Sequence, residues 1–195
     1  MKTIKEIIIK ENIIKKSKFI SVLERFDDEL MIDDRINYYK KIYPNATHYC
    51  YAYIINDKIH YYDDGEPSKT AGYSIYNILH KNNLTNILCI VIRYYGGIKL
   101  GANGLIRAYS NATKVFENND LLEIINGIRL IIVFDYDNTK IVDNLIKIAT
   151  ILNRTYDIKI KYELLLSLSD YNSIKDELMQ YTSNIMEKEN VFITK

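Results

Sequence analysis

Residues 86–94, NILCIVIRY, form the most apolar run in the chain. A strand without a polar face has to be covered on both sides, so we predict that this run lies in the centre of a sheet. Strands are also predicted at residues 47–55 and 58–62, followed by a helix over about 70–81. After the central strand come four glycines and a second helix, from about residue 105 to residue 118.

The N-terminal part predicts two further strands, over residues 4–9 and 13–25. A helix is expected after Asp27 and Asp28, whose carboxylates suit an N-cap and a first turn, and Pro44 ends it. Together with the elements above, these segments are sufficient for one domain that mixes a sheet with helices.

A polar break at residues 119–126 separates this part from a second pattern. The elements predicted beyond it are strands at 128–135, 154–160, 162–169 and 185–193, with helices at 138–152 and 170–182. Their order, βαββαβ, is that of the ferredoxin-like split unit. We therefore predict an α+β chain of two domains, residues 1–120 and 123–195, the second of them ferredoxin-like.

Charge and cysteine content indicate an ordinary cytoplasmic protein. The formal net charge of +1 gives no global field that would require nucleic acid or a membrane. Cys50 and Cys89 lie in apolar runs and are expected to be buried, reduced thiols. Lys2, Lys5 and Lys10 interrupt the first apolar run, and no uncharged run of about 18 apolar residues follows. We therefore expect neither a signal segment nor a membrane span.

The segment 63–72, DDGEPSKTAG, is the first candidate site. Its three carboxylates lie within four residues: Asp63, Asp64 and Glu66. Carboxylate oxygens suit hard cations, so one interpretation is a metal or an acid–base site. The other is a structural turn, shaped by glycine and proline, in which Ser68 or Thr70 caps the next helix. The spacing is not that of an EF-hand, and we assign no metal.

The segment 93–107, RYYGGIKLGANGLIR, is the second candidate. Its backbone amides can hold an anion, helped by the helix dipole and by Arg93, Lys99 or Arg107. It is neither a Walker loop nor a G-x-G-x-x-G loop. The alternative, a tight connection with positive φ at several glycines, is compatible with an anion site. If the two segments lie close together in the fold, the carboxylates of the first can pair with the cations of the second. Such pairs would form either a structural salt-bridge network or a prepared polar site.

His48 and Cys50 are two residues apart on a predicted strand, so both side chains point to the same face. A nucleophilic pair is one interpretation, and a buried thiol in an apolar run is the other. The sequence identifies no catalytic residue and no cofactor.

The runs DDGEPSKTAG at 63–72 and RYYGGIKLGANGLIRAY at 93–109 resemble the YigZ/IMPACT family. Supporting matches are KKSKFI at 15–20, PNATHYCYAY at 44–53 and LTN at 84–86. The resemblance implies a first domain like ribosomal protein S5 domain 2 and a second domain like the last domain of the elongation factor that drives translocation. It also implies a role connected with translation, since eukaryotic relatives regulate an eIF-two-alpha kinase pathway by binding its ribosome-associated activator.

Three positions depart from the family pattern. Tyr95 stands where Phe is usual, and Lys69 and Asn103 stand where Gly is usual. Asn tolerates a left-handed backbone, so we expect Asn103 to be a mild change. Lys69 adds a charge beside the acidic segment.

We predict a cytoplasmic, translation-associated regulatory protein that binds RNA or a ribosome-bound factor. The predicted binding residues are Asp63, Asp64, Glu66, Arg93, Tyr94, Tyr95, Gly96, Gly97, Lys99, Gly101 and Arg107. The three cations among them suit phosphate, and the two tyrosines suit base stacking. One alternative is a hydrolase or phosphotransferase that acts on a phosphorylated small molecule at these loops. Another places the function on the sheet of the second domain. We assign no cofactor, membrane contact or oligomeric state.

Overall fold

The structure is a computed structural model that describes residues 1–194, with the side chains of all of them except Asn119, Lys188, Asn190 and Phe192. Its strands are β1 (Lys2–Ile4), β2 (Ile8–Ile14), β3 (Ser17–Arg25), β4 (His48–Ile55), β5 (Lys58–Tyr62), β6 (Ile87–Tyr94), β7 (Leu121–Phe134), β8 (Thr150–Tyr156), β9 (Ile160–Ser167) and β10 (Asn184–Thr194). Its helices are α1 (Ile32–Ile42), α2 (Gly72–Lys81), α3 (Ala102–Thr113), α4 (Thr139–Leu145) and α5 (Leu168–Tyr181). The predicted mixture of sheets and helices is confirmed.

The chain divides into two units, residues 1–123 and residues 124–195. The boundary falls inside β7, beside the predicted domain ends at residues 120 and 123. The longest of the described helices, α5, has 14 residues. A helix needs about 20 apolar residues to cross a bilayer, and no described helix is long and apolar enough to do so.

Unit 1 contains an antiparallel sheet with the strand order β2-β3-β6-β4-β5. The middle strand is β6, and its residues 87–92 are fully buried. Because side chains alternate along a strand, Cys89 and Val91 pack against α2 and α3. Leu88 and Ile90 pack on the opposite face, against α1. The prediction that this apolar run is a central, doubly covered strand is confirmed.

The N-terminal strands are arranged differently from the prediction. The predicted strand over residues 13–25 contains a hairpin turn at Lys15 and Lys16, so β2 ends at Ile14 and β3 begins at Ser17. Both lysines have positive φ, 45° and 64°. A two-residue hairpin turn with this backbone usually carries Asn or Gly, and two lysines give no such signal. The strand boundaries predicted here were therefore wrong.

Unit 2 has the element order β7-α4-β8-β9-α5-β10, which is the order that the sequence predicts. Its sheet has the strand order β10-β7-β9-β8, and all neighbouring strands are antiparallel. Residues at alternate positions of the strands, such as Leu130 on β7 and Leu164 on β9, form a core with Val142 of α4 and Leu178 of α5. The two helices therefore cover one face of this sheet.

The polar break predicted over residues 119–126 is wrong from Leu121 onward, because β7 begins there and continues through Gly127. A Cβ atom at Gly127 would lie only 2.8 Å from the side chain of Ile193 on the neighbouring strand. The glycine therefore permits close packing inside a strand and does not mark a turn.

The predicted helix over residues 138–152 is too long. α4 ends at Leu145, and residues 146–148 form a 3-10 turn that buries Ile146. The next strand begins at Thr150, earlier than predicted. The apolar residues after Leu145 thus continue the core without continuing the α-helix.

Candidate functional site

Asp63 organises the segment between β5 and α2. Its carboxylate accepts hydrogen bonds from the backbone N–H groups of Lys69, Ala71 and Gly72, at 2.8, 3.0 and 2.8 Å. Amides at the start of a helix have no carbonyl partner within the helix, and a negative charge there also complements the helix dipole. Asp63 therefore caps α2 from the end of the preceding strand.

The predicted caps of this helix, Ser68 and Thr70, were wrong. The Thr70 hydroxyl donates to the Pro67 carbonyl oxygen at 2.6 Å. The cap comes instead from Asp63, eight and nine residues before the amides of Ala71 and Gly72. The usual capping spacing is two or three residues, so local pattern could not reveal this partner.

Replacing Asp63 by alanine is expected to lower the free energy of unfolding by about 2 kcal/mol, the upper end of the range for lost helix caps. Urea denaturation followed by circular dichroism measures this change. Asp57→Ala is the matched control, since Asp57 lies in the exposed turn after β4, and its expected effect is below about 0.5 kcal/mol. Equal losses in the two variants would contradict the capping role.

Asp64 joins the same segment to the start of β4. Its carboxylate accepts a hydrogen bond from the Tyr49 N–H at 2.6 Å. Its carbonyl oxygen lies 2.8 Å from Nδ1 of His48. Because a carbonyl oxygen only accepts, Nδ1 carries the hydrogen and the neutral ring has its lone pair on Nε2.

Glu66 is the buried carboxylate of the segment, and it joins the two predicted loops. Its Oε1 lies 2.5 Å from Nη1 of Arg93 and accepts a hydrogen bond from the Tyr109 hydroxyl at 2.8 Å. His48 Nε2 lies 3.8 Å away from the same oxygen. Burial raises the pKa of Tyr109, which therefore stays a neutral donor. Glu66 and Arg93 thus form the contact between the acidic and the glycine-rich segments.

The acidic segment does not gather its carboxylates around a cation. Asp63 and Asp64 bind backbone amides, and Glu66 binds Arg93 and Tyr109. In the part of the chain that the structure describes, no three His, Cys, Asp or Glu side chains are placed to hold a metal ion. The carboxylates therefore stabilise the loop and its contact with β6.

Cys50 faces the same loop as His48, as predicted, but its geometry does not support a nucleophilic pair. Its thiol is fully buried and donates to the Asp63 carbonyl oxygen at 3.0 Å. Burial raises the pKa of Cys50 well above its ordinary value, so the thiol stays protonated at neutral pH. Burial also raises the pKa of Cys89 to about 12. The prediction of two buried, reduced thiols is confirmed.

The glycines after β6 serve two different purposes. A Cβ atom at Gly96 would lie 2.0 Å from the backbone of Lys16, so only glycine permits this close approach. Gly97 and Gly101 have φ of 81° and 71°, in the left-handed region that favours glycine. Positive φ is therefore confirmed at two of the four glycines, while Gly104 lies inside α3.

α3 begins at Ala102, before the predicted residue 105, and ends at Thr113. Its first intrahelical bond runs from the Leu105 N–H to the Gly101 carbonyl oxygen at 2.9 Å. Gly101 has no side chain with which to cap the earlier amides. Asn103 lies inside the helix without positive φ, so its tolerance of a left-handed backbone is not needed there.

The two segments border an open cleft of about 360 Å³ in unit 1. Its polar lining comes from His48, Glu66, Arg93 and Lys99, and from the N-terminus of α3. Since Glu66 is paired with Arg93, the exposed Lys99 contributes the uncompensated positive charge of this lining.

Besides Thr47, the rest of the lining is mainly apolar and includes Tyr95, Leu100 and Leu105. Tyr95 is 44% exposed, and the Arg93 guanidinium lies 5.4 Å from its ring centre. A small cleft with an apolar wall and a few convergent polar groups is typical of ligand sites.

The predicted binding residues fall into three groups. Those that line the cleft are Glu66, Arg93, Tyr95, Lys99 and Gly101. Those that shape the backbone around it are Asp63, Asp64, Gly96 and Gly97. The remaining two lie elsewhere: Tyr94 packs toward α1, and Arg107 is exposed on α3 outside the lining.

Ser17 and Tyr109 are supporting residues that the sequence did not identify. Ser17 Oγ accepts from Nη2 of Arg93 at 3.3 Å and from the Gly96 N–H at 3.2 Å. The Tyr109 ring packs in the apolar core beside α3, and its hydroxyl donates to Glu66. The one signal for both residues is that they lie in runs that carry the family resemblance, residues 15–20 and 93–109.

The fold and the site together define an α+β protein with a preformed cleft on its first unit. Residues 15–116 match the model of the Impact N-terminal domain. The chain belongs to the IMPACT family, which confirms the resemblance read from its motifs.

Curated relatives agree with this assignment. The chain is 46% identical over 113 residues to the IMPACT family member YvyE of Bacillus subtilis (strain 168), which covers 56% of this chain and 52% of YvyE. It is 36% identical over 101 residues to the IMPACT family member YigZ of Escherichia coli (strain K12), which covers 49% and 50%. The chain thus spans about half the length of these relatives. A solved structure titled "Crystal structure of an hypothetical protein" shares the fold, at 22% identity and a TM-score of 0.62, over 96% of this chain and 97% of that one.

Proposed function

We propose that this protein is a cytoplasmic, translation-associated binding protein whose cleft in unit 1 holds RNA or a ribosome-bound factor. The family supports the connection with translation, to which its members are generally related. The observation that carries binding over catalysis is that the cleft's buried carboxylate is already bonded. Glu66 binds Arg93 and Tyr109, which leaves it poorly placed to take up a proton or a metal ion.

The arrangement of charge supports a negatively charged partner. In the sequence alone, the three carboxylates of segment 63–72 argue against RNA as a partner, because they would repel phosphate. In the structure, the Asp63 and Asp64 carboxylates accept backbone hydrogen bonds, and Glu66 is paired with Arg93. Lys99 and the positive end of the α3 dipole then dominate the cleft.

We also propose the finer fold assignments that the resemblance implies. Unit 1 is proposed to have the fold of ribosomal protein S5 domain 2. Unit 2 is proposed to be ferredoxin-like, and its element order and its strand order β10-β7-β9-β8 support this. A fold shared with translation proteins would not by itself establish a function, so the proposal rests on the cleft.

Sedimentation of the tagged protein in cell lysate tests the proposed function. Comigration with ribosomal subunits or polysomes is expected, and loss of comigration after RNase treatment would assign the contact to RNA. Lys99→Glu is expected to move the protein to the top of the gradient. Lys114→Glu, an exposed position just after α3 with the same charge change, is expected to sediment like the parent. A parent protein that remains at the top of the gradient would contradict the proposal.

A hydrolase or phosphotransferase is the second candidate, and the His48 tautomer favours it. The Asp64 carbonyl fixes a hydrogen on Nδ1, so in the neutral ring the lone pair is on Nε2, 3.8 Å from Glu66 Oε1 in the cleft lining. Such an enzyme would be stabilised by its ligands. A rise in melting temperature with magnesium, manganese or nucleotides, together with phosphate release that His48→Ala abolishes, would establish it. Absence of both effects at millimolar ligand would reject it.

A further inference from the structure

The N-terminus of α3 differs from those of the other helices in unit 1. α1 carries Asp33 and Asp34 in its first turn, and α2 is capped by Asp63. Within the described residues, α3 has no acidic side chain in its first turn and no side-chain cap. The partial positive charge at this end is therefore not neutralised, and Lys99 adds a full charge to the same cleft.

Arg93 provides a second, independent observation. Its side chain is 5% exposed and lines the cleft. Nη1 binds Glu66 and Nη2 binds Ser17, but Nε is buried without an acceptor among the described residues. Buried donors are rarely left unpaired, so the Arg93 side chain behind the cleft keeps one unused hydrogen-bond donor in addition to its positive charge.

The shape of the cleft distinguishes between anions. An acidic side chain would use the donors and leave the apolar wall of Tyr95 and Leu100 uncovered. A nucleotide uses both, since its phosphate accepts from Lys99 and the α3 amides while its base stacks on the exposed Tyr95 ring. The volume of about 360 Å³ suits one such unit.

We propose that the cleft binds one phosphorylated nucleotide unit of single-stranded RNA, with the phosphate at Lys99 and the N-terminus of α3 and the base on Tyr95. This inference rests on the proposed function and names the ligand of the same site. Arg93 lines the buried wall behind the proposed phosphate position, where it is held by Glu66 and Ser17.

Fluorescence anisotropy with the full chain and a labelled single-stranded oligouridine RNA tests the inference. Lys99→Gln is expected to weaken binding about tenfold, in line with the loss of one charge-assisted contact. It should also reduce the slope of log affinity against log salt by about 1. Tyr95→Leu is expected to weaken binding about tenfold through lost stacking. Lys114→Gln, the matched charge control, should bind like the parent. Melting temperatures confirm that each variant is folded.

Competition identifies the source of the anion. Unlabelled RNA should displace the probe at lower concentration than either inorganic polyphosphate or a polyglutamate peptide. Equal competition by polyphosphate, or unchanged binding by Tyr95→Leu, would overturn the contact with the base. Stronger competition by polyglutamate, or unchanged binding by Lys99→Gln, would overturn the inference.

If the protein comigrates with ribosomes and yet does not bind RNA, the inference fails and the proposed function stands. If it neither comigrates nor binds, both fail.

Discussion

Arg93→Met is expected to lower the free energy of unfolding by about 3–5 kcal/mol, because it leaves a buried carboxylate without its counter-ion. Glu66 is 4% exposed at its side chain, so water cannot replace the lost guanidinium without opening the cleft wall. The Tyr109 hydroxyl would still donate to the carboxylate, and His48 Nε2 lies 3.8 Å away from it. Urea denaturation of the parent and the variant measures the difference.

The double variant shows whether the loss comes from the ion pair or from packing. Glu66→Leu combined with Arg93→Met removes both charges, and replacing a buried pair with apolar residues is often nearly neutral. We therefore expect the double variant to be more stable than Arg93→Met alone, with a coupling of about 2 kcal/mol or more. Strictly additive losses would contradict the importance of the pair.

An exposed ion pair in unit 2 provides the comparison for this experiment. Arg129 pairs with Glu163 and Glu189, and its side chain is 38% exposed. Exposed pairs contribute little, so Arg129→Met is expected to cost less than about 1 kcal/mol. A similar loss from both arginines would show that the effect of Arg93→Met does not depend on burial.

Periodicity predicted those parts of the fold in which one pattern extends over a whole element. The run of residues 86–94 has no polar face, so both of its faces have to be covered, which is the case for a central strand. The element order of unit 2 was predictable for the same reason. Turns made by unusual residues were not predictable: Lys15 and Lys16 adopt positive φ in the tight hairpin between β2 and β3, where tertiary pairing overrides local preference.

The departures from the family pattern show what a motif conveys without structure. Lys69 has φ of 61°, which explains why the family pattern has glycine there: the backbone, more than the charge, sets the requirement. Asn103 also replaces a usual glycine, but it lies in α3, where positive φ is not needed. The same kind of substitution thus has a different physical meaning at the two positions.

The candidate site was predictable in its residue types but not in its contacts. The opposite charges of segments 63–72 and 93–107 suggested that the two segments pair in the folded chain. The ion pair between Glu66 and Arg93 is such a contact. The partners that complete the site come from far along the chain: Tyr109 is 43 residues from Glu66, and Ser17 is 76 residues from Arg93. No local pattern encodes such distances, because they depend on how the strands pair.

Gly96→Ala is expected to be the most damaging single-methyl change around the cleft, with a loss of about 3 kcal/mol or more in the free energy of unfolding. Overpacking usually costs about 1–3 kcal/mol, and the upper end applies where no side chain can rotate away. The added Cβ would meet the carbonyl carbon and oxygen of Lys16 at 2.0 Å, and both atoms are backbone. Relief requires moving the turn before β3, which also carries Ser17, the hydroxyl that binds both Arg93 and the Gly96 N–H.

Gly97→Ala is the matched control, because it adds the same methyl group one residue further on. Nothing lies within 4 Å of a Cβ atom at Gly97, so its cost comes from the left-handed backbone at φ of 81°. That strain amounts to about 1–2 kcal/mol. Thermal and urea denaturation should therefore rank the parent above Gly97→Ala and Gly97→Ala above Gly96→Ala. The reverse order would show that backbone conformation, and not the approach of β3, sets the requirement for glycine after β6.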